Sequence, residues 1–455
     1  MLEDPLARAR TGKHPRSIIA SLILISPLFN PITAHAKSLS LKEAIQYAIE
    51  RSPDLDSFGR QQAISELQYE SAFAKFLPSL DLSSTSGLNG QAPAVLATPW
   101  AAQANLGLTE NLYDNGQSLT QYHIASLNRD FSRLGLEKER DKLSMNIAVE
   151  FYKLSLARKL LEVKQQQFNL LQRQFDSMQN LYQQGIKTRQ DFLRFKTQIQ
   201  LARIDLVSAK NDIQNAETEL HRLLGVPTQD QIVPEFQVLE PTSISEKIPA
   251  TTPSLEKSYN FRLAEVQRHI DHLNEDLVKR KYWPQVSITG GISYQYVNYF
   301  NYSTLNSTSG LLIPTSGSQF GYNALLTIQY NVWDWGTRKR DIEVAKHNRL
   351  IESDTLDEGL LLFHSNTEKL MEDIQQLQSN YLLGSELLRL SQQSFGILEE
   401  QYRLGKLTYL DIITGLSDLL SAKVTYYSTY FGLLEDLAQY HYYEGNLYVR
   451  IMATP

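Results

Sequence analysis

Two stretches of the chain, 220 residues apart, share one pattern: "YQQGIKTRQDFL" from Tyr182 to Leu193 and "YRLGKLTYLDII" from Tyr402 to Ile413. Gly185 and Gly405 each follow a long helical pattern, and glycine readily adopts the left-handed conformation that ends a helix. Just beyond, each stretch has a Thr-x-x-Asp pair with the spacing of a capping box; the pairs are Thr188 with Asp191 and Thr408 with Asp411. We therefore predict that each stretch forms the tip of a helical hairpin.

The rest of the chain repeats in the same order. "KFLPSLDLS" from Lys75 is matched by "KYWPQVSIT" from Lys281, "NLYDNG" from Asn111 by "NVWDWG" from Asn331, and Gly225 by Gly445. These pairs predict an internal two-fold repeat: residues 37–225, a Pro-rich linker 226–253, and residues 254–455. The offset is 206 residues for the first pair and 220 for the others, so the second copy has 14 more residues between its first two motifs. The polar segment Asn298–Gly321 lies there and predicts a longer exposed loop.

Each repeat contains one very long helical pattern. There are 68 residues without proline between Gly116 and Gly185, and another 68 between Gly336 and Gly405. At about 1.5 Å per residue, each would form a helix roughly 100 Å long. Apolar residues recur every seven positions, which predicts coiled-coil packing; they are Ile147, Leu154, Leu161, Phe168, Phe175 and Tyr182, and Ile374, Tyr381, Leu388, Phe395 and Tyr402. The helical segments 41–76, broken near Pro53, and 188–224 are predicted to stack end to end beside the first long helix.

Four segments alternate apolar and polar residues with a period of two, the pattern of β-strands. Ser79–Leu88 and Ala102–Tyr113 belong to the first repeat. In the second repeat the apolar positions run from Val286 to Tyr296 and from Tyr322 to Val332. An open four-stranded sheet cannot close a membrane barrel, since its edges would stay unbonded in lipid. Two copies of the chain would supply eight strands and three copies twelve, and both numbers are permitted.

Aromatic residues cluster where the strands meet the helices, as the aromatic girdle of a membrane barrel does; they are Phe76, Tyr113, Tyr282, Trp283, Trp333 and Trp335. A basic segment, a short apolar run and "AHA" at Ala34–Ala36 predict a signal peptide over residues 1–36, cleaved between Ala36 and Lys37. Its removal changes the formal charge from −6 to −8, because it carries four basic and two acidic residues. This net negative charge does not favour binding to nucleic acid. The chain has no cysteine for a disulfide or a lipid anchor.

The chain resembles the TolC family of outer-membrane efflux and secretion ducts. The resemblance rests on the duplicated layout, the "LP" and "WP" strand starts, the "LYDNG" and "VWDWG" turns, the paired Gly-x-x-Thr-x-x-Asp tips and "LLGVP". It implies an α/β membrane protein that forms a trimer, with a 12-stranded β-barrel in the Gram-negative outer membrane and a long α-helical barrel in the periplasm. It also implies a periplasmic adaptor and an inner-membrane pump of the RND, ABC or MFS type as partners, in efflux or type I secretion.

The same resemblance assigns roles to the hairpin tips. Residues expected to dock the adaptor are Tyr182, Gly185, Ile186, Thr188, Leu404, Gly405, Lys406 and Thr408. The expected periplasmic gate consists of Asp191, Tyr402, Asp411 and Thr414, where Thr414 replaces an acid of the family pattern. Independently of the resemblance, an Asp on the axis of a cyclic oligomer becomes a ring that favours cations. Capping is the preferred role for Asp191, and the two roles are equally favoured for Asp411.

Nothing in the sequence indicates an enzyme. His269 and His272 are the only His pair at close helical spacing, and two residues do not form a metal site. No catalytic or phosphate-binding motif is present, so no cofactor or metal is expected. The main alternative is a soluble periplasmic coiled-coil adaptor or scaffold, which would explain the heptads and the tips but not four alternating segments of membrane length.

Overall fold

The computed structural model describes residues 37–88, 100–186, 188–226, 232–234, 248–298, 316–404 and 406–453. Four sequence predictions lie wholly or partly outside these residues: the signal peptide with Ala36, the tip glycine Gly405, residues 227–231 and 235–247 of the predicted linker, and the segment 299–315 of the predicted loop. Lys37 is the first residue described. No helix in the described ranges has an apolar stretch long enough to cross a membrane.

The helices of the first repeat follow the predicted pattern. They are α1 (Leu41–Ile49), α2 (Pro53–Ala74), α3 (Gln117–Gln183) and α4 (Arg189–Leu224). The break before Pro53 arises because Ser52 caps α2 and proline is favoured in a first helical turn. Helix α3 has 67 residues, which confirms the single long helix. Both α1 and α4 pack on α3 and contact each other, as end-to-end stacking requires.

The second repeat has the same plan. After a short 3₁₀ turn (Leu255–Lys257) come α5 (Tyr259–Arg280), α6 (Thr337–Arg403), α7 (Tyr409–Tyr443) and α8 (Leu447–Ala453). Helix α6 has 67 residues, the same length as α3. Outside the repeated plan, β1 (Lys37–Leu39) pairs in parallel with β4 (Ile232–Pro234). The sequence analysis did not predict this pair, because three-residue strands are too short to show a period.

The four long strands form one antiparallel sheet. They are β2 (Ser79–Leu88), β3 (Trp100–Tyr113), β5 (Gln285–Asn298) and β6 (Ser316–Gln329), in the order β2-β3-β5-β6. The strand pairs of the two repeats are therefore joined through β3 and β5. Strands β2 and β6 are the edges, and each has one neighbour within the described chain.

Strand β6 corrects the sequence prediction at both ends. Ser316–Gly321 was assigned to the exposed loop, but these residues pair with β5, because backbone ladders tolerate polar side chains. The predicted alternation continued through Tyr330 to Val332, whereas pairing ends at Gln329 opposite Gln285. Pro284, immediately before β5, has no N–H to extend the ladder.

The heptad positions form the core of the helical region. Ile147, Leu154, Ile374 and Tyr381 are fully buried. Each such side chain contributes roughly 1.5–3 kcal/mol through burial of apolar surface. Near the tips both hairpins share one cluster, in which Leu171 and Ile199 of the first pack with residues of the second, including Phe395 and Ile412. The two repeats are thus fused along their helices as well as through the sheet.

Two adjacent carboxyl groups on α7 are half-buried beside this core. Burial raises the pKa of Glu435 to about 7 against the attraction of Lys153, and the neighbouring Asp436 and Glu150 raise it further. Burial, together with Asp373, raises the pKa of Asp436 to about 6. Both values lie above those of an unfolded chain. The protonated forms therefore stabilise the fold in acid, and this contribution is lost as the pH rises from about 4 to about 7.

We expect Glu435→Gln to raise the thermal unfolding midpoint at pH 7.5, because an amide avoids burial of a charge. The free energy of unfolding should increase by roughly 1–2 kcal/mol after allowance for solvent exposure, and this increase should vanish near pH 4.5. Circular dichroism melting at a fixed heating rate measures the unfolding midpoint of the variant and of the wild type at pH 4.5 and at pH 7.5. Glu386→Gln is the matched control, since Glu386 is exposed and paired with Arg389. Equal responses of the two variants would contradict the assigned burial effect.

Candidate functional site

The sheet has one apolar and one polar face, because alternate cross-strand rows differ in character. Two apolar rows are Leu80–Leu108–Gly290–Ala324 and Leu82–Leu106–Ile292–Tyr322. Two rows of the opposite face are Ser83–Asn105–Ser293–Gly321 and Thr85–Gln103–Gln295–Gln319. The predicted alternation is therefore in register across all four strands.

Side-chain contacts run along the polar face. Gln103 Nε2 donates to Asn105 Oδ1 at 2.7 Å, and Asn105 Nδ2 donates to Ser83 Oγ at 3.5 Å. The Ser293 hydroxyl lies over Gly321, where an added Cβ would be 2.7 Å from its oxygen. The neutral polar groups of this face thus bond partly to one another, and the remainder of their capacity is open to water.

The apolar face is uncovered. Leu82 is 78% exposed and Tyr322 is 86% exposed. Neither the helices nor the rest of the described chain covers these rows. A continuous exposed apolar surface on a sheet indicates contact with an apolar phase or with another protein.

The turns from strand to helix have the same geometry in both repeats. Asp114 Oδ1 accepts from the Gly116 N–H at 3.0 Å, and Asp334 Oδ1 accepts from the Gly336 N–H at 3.0 Å. The intervening residue has a left-handed φ in each turn, 56° at Asn115 and 57° at Trp335. Asn tolerates this region, whereas a bulky aromatic residue seldom adopts it. The second turn therefore accepts a conformational cost at a tryptophan that is 81% exposed.

The six predicted interface aromatics lie at this junction. Phe76, Tyr113, Trp283, Trp333 and Trp335 are exposed. Tyr282 is half-buried: its hydroxyl donates to Asp341, and its carbonyl accepts from Arg338 Nη2 at 2.8 Å. Sequence reasoning missed an aromatic pair at the opposite end of the sheet, where Trp100 and Tyr296 have ring centroids 6.2 Å apart. The position of Trp100 just before the alternating run was the available signal.

The hairpin tips close as predicted. Gly185 has a φ of 76°, and the Ile186 N–H donates to the Leu181 carbonyl at 2.9 Å. The second tip has the equivalent bond, from the Lys406 N–H to the Gln401 carbonyl at 3.0 Å. These are the bonds of a Schellman ending, which a left-handed residue permits.

The return helices begin at the predicted threonines. The Thr188 hydroxyl accepts from the Asp191 N–H at 3.1 Å and donates to the Asp191 carboxylate at 2.8 Å. A full reciprocal capping box forms at the second tip, where the Thr408 N–H donates to Asp411 Oδ2 at 2.8 Å. The Thr408 hydroxyl and this N–H hold the pKa of Asp411 below its usual value. Asp411 therefore caps its helix together with Thr408, whereas the Asp191 carboxylate accepts a bond only from the Thr188 hydroxyl among the described residues.

Apolar and polar groups are both displayed at the tips. Ile186 is 63% exposed and Leu404 is 55% exposed, and Thr188, Lys406 and Thr408 are exposed as well. Tyr182 is held differently, because its ring stacks on Phe192 with centroids 4.9 Å apart. The first tip therefore has an aromatic contact between its two helices.

The predicted gate residues do not form one network within a chain. Thr414 donates to the Leu410 carbonyl at 2.9 Å and lies one turn beyond Asp411 on the exposed face of α7. Asp191 lies on the other hairpin. Tyr402 packs in the shared apolar cluster, burial raises its pKa, and its hydroxyl makes no hydrogen bond with described residues. Asp418, which the sequence analysis missed, continues the exposed face at the seventh position after Asp411.

The histidines of the sequence analysis lie in a groove between α3 and α5. His123 joins His269 and His272 in lining a cavity of about 440 Å³. All three are exposed. In the described ranges, no three His, Cys, Asp or Glu side chains are placed to hold a metal ion.

Known proteins resemble this chain over most of its length. The outer membrane efflux protein family matches residues 44–226. The outer membrane protein TolC of Escherichia coli is 20% identical over 410 residues, which is 88% of this chain and 81% of that protein. The crystal structure of the outer membrane protein VceC of Vibrio cholerae superposes with a TM-score of 0.72 at 15% identity, covering 90% of this chain and 96% of VceC. The Neisseria gonorrhoeae MtrE outer membrane channel, solved in its open state, superposes with a TM-score of 0.69 at 18% identity, covering 91% of this chain and 91% of MtrE.

These matches agree with the fold. The four-stranded sheet and the long helical hairpins are those of TolC-type channels, a group of channel proteins rather than enzymes. The location of the protein is the outer membrane of a Gram-negative cell, with a periplasmic extension. The chain is thus similar to the outer membrane efflux proteins, over residues 44–226 by the family model and over most of its length by the TolC relatives.

Proposed function

We propose that the chain forms a homotrimeric, passive export duct. Three copies would supply twelve strands, joined in a barrel where β6 of one copy pairs with β2 of the next. The apolar face would contact outer-membrane lipid and the polar face would line a water-filled lumen. The long helices would continue this lumen as an α-helical barrel in the periplasm.

The unpaired edges of the sheet are the main support for this proposal. The edge N–H and C=O groups of β2 and β6 need partners, because each unsatisfied group in lipid costs several kcal/mol. The exposed apolar rows need a covering phase of the same character. Closure with further copies of the same chain would satisfy the first need, and outer-membrane lipid around the closed barrel would satisfy the second.

The tips support a periplasmic gate and a docking site. Asp411, Thr414 and Asp418 occupy one exposed face of α7. In a trimer, a face turned toward the axis would present rings of carboxylates. Ile186 and Leu404 would dock the helical hairpins of a periplasmic adaptor, which connects the duct to an inner-membrane pump of the RND, ABC or MFS type. The tip helices would then open like an iris, with the energy supplied by the pump, for efflux or for type I secretion.

Single-channel recording in planar bilayers tests the duct and the gate together. We expect a small cation-selective current that multivalent cations such as cobalt block. Asp411→Asn should remove the block and raise the conductance, since it removes a ring of charge but retains an oxygen that can accept the capping bonds. Thr408→Ala is the matched variant, because it removes the cap partner and leaves the charge in place.

The two variants separate the roles of Asp411. Loss of the block in Asp411→Asn alone assigns the ring. Loss of the block in Thr408→Ala alone would assign only the cap. If the folded wild-type protein gave no current and its migration in gels did not change on heating, the result would count against the duct and favour a soluble coiled-coil adaptor.

Gly185→Asn tests adaptor docking. A Cβ atom added at Gly185 would meet nothing within 4 Å among the described residues, and Asn tolerates a positive φ. We therefore expect normal folding and trimer yield, with at least a roughly ten-fold loss of adaptor copurification, the equivalent of about 1.4 kcal/mol. Gly225→Asn is the control, because Gly225 also has a positive φ but ends α4 away from the tip. Equal retention of the adaptor by both variants would move the docking site elsewhere.

A further inference from the structure

The sheet carries very little charge. Among the residues of the four long strands, only Asp81 and Glu110 carry a formal charge at pH 7, and there is no Lys or Arg. These two carboxylates lie on opposite faces. Glu110 is in a row with Ile288 and Leu326 on the apolar face. Asp81 is in a row with Gly107, Gly291 and Asn323 on the polar face.

The surroundings of Asp81 leave its charge open to the space in front of the polar face. Ser79 Oγ donates to Asp81 Oδ2 at 3.3 Å, which places both side chains on this face. The cross-strand neighbour of Asp81 is Gly107, where an added Cβ would meet nothing within 4 Å. No ion pair joins Asp81 to a basic residue in the described part of the chain. Lys75, just before the strand, donates to Gln121.

We propose that Asp81 is a second selectivity determinant, located in the barrel and independent of the tip. This inference rests on the proposed trimeric duct, in which Asp81 would form a ring of three carboxylates on an otherwise neutral polar wall. Since no basic residue of the strands offsets this ring, the barrel favours neutral and cationic solutes over polyanions. The exported substrate class is therefore neutral or cationic.

The geometry gives this ring a measurable reach. Twelve strands about 4.8 Å apart and tilted by about 40° form a cylinder of roughly 12 Å backbone radius. Asp side chains would then lie roughly 7 Å from the axis, well within the Debye length of about 30 Å at 0.01 M salt. Coulomb's law for three such charges gives roughly ten-fold enrichment of monovalent cations on the axis at 0.01 M salt. At 1 M salt, where the Debye length is about 3 Å, the enrichment nearly vanishes.

The test is the reversal potential of single channels in a KCl gradient with dilute salt on both sides. Asp81→Asn should shift the reversal potential toward zero, and Asp81→Lys should shift it further, toward anion preference. Glu110→Gln is the matched control, because it removes one carboxylate per chain from the same sheet but from the apolar face. All variants are measured with the natural tip and in the Asp411→Asn background, so that a narrow tip does not mask the barrel.

The outcomes are distinct. A shift in both Asp81 variants, absent in Glu110→Gln and abolished at 1 M salt, supports the assignment. Normal conductance with an unchanged reversal potential in both Asp81 variants overturns it and leaves the duct intact. The same shift in Glu110→Gln also overturns it, because the effect would then not depend on the lumen face. No conductance from folded wild-type protein would reject the duct itself.

Discussion

The satisfaction of backbone hydrogen bonds at the two edges of the sheet is the constraint on which the architecture depends. Strands β2 and β6 each have one neighbour, and the sheet between them has an apolar and a polar face. Such a sheet is unstable alone in lipid, where no water is available to bond its edges. Its rows are already in register for a continuous wall, so copies of one chain can complete it without any new type of contact.

The helical region follows from the same repeat. Both long helices have 67 residues, and each leaves the sheet through a turn in which an Asp accepts backbone N–H bonds just before a left-handed glycine. Because both helices start and end with equivalent turns, their tips lie at equivalent positions along the chain. Shorter helices then pack along each long helix, and a shared apolar cluster joins the two hairpins near their ends.

The two hairpins share a backbone plan but differ in packing. Phe192, which stacks on Tyr182, corresponds by the 220-residue offset to Ile412 of the second hairpin. Phe195 is fully buried, whereas its counterpart Gly415 brings α7 so close to α6 that an added Cβ would lie 2.3 Å from Leu398 Cδ1. One tip is thus held by aromatic contact and the other by close helix approach. Repeated sequence motifs fixed the turns in both copies and left the side chains between the helices free to diverge.

The sequence by itself determined the long helices, the four strands, the left-handed endings and the threonine caps, because each depends on residues within a few positions along the chain. It also determined which strand residues share a face, since that depends only on a period of two. Only the tertiary structure decided where pairing stops at Pro284, that Ser316–Gly321 belongs to β6, and that Lys37–Leu39 pairs with the linker. It alone placed Asp81 beside Gly107 and Gly291, and Tyr402 inside an apolar cluster. These facts depend on contacts between segments far apart in the chain, and a local pattern carries no information about which distant segment becomes its neighbour.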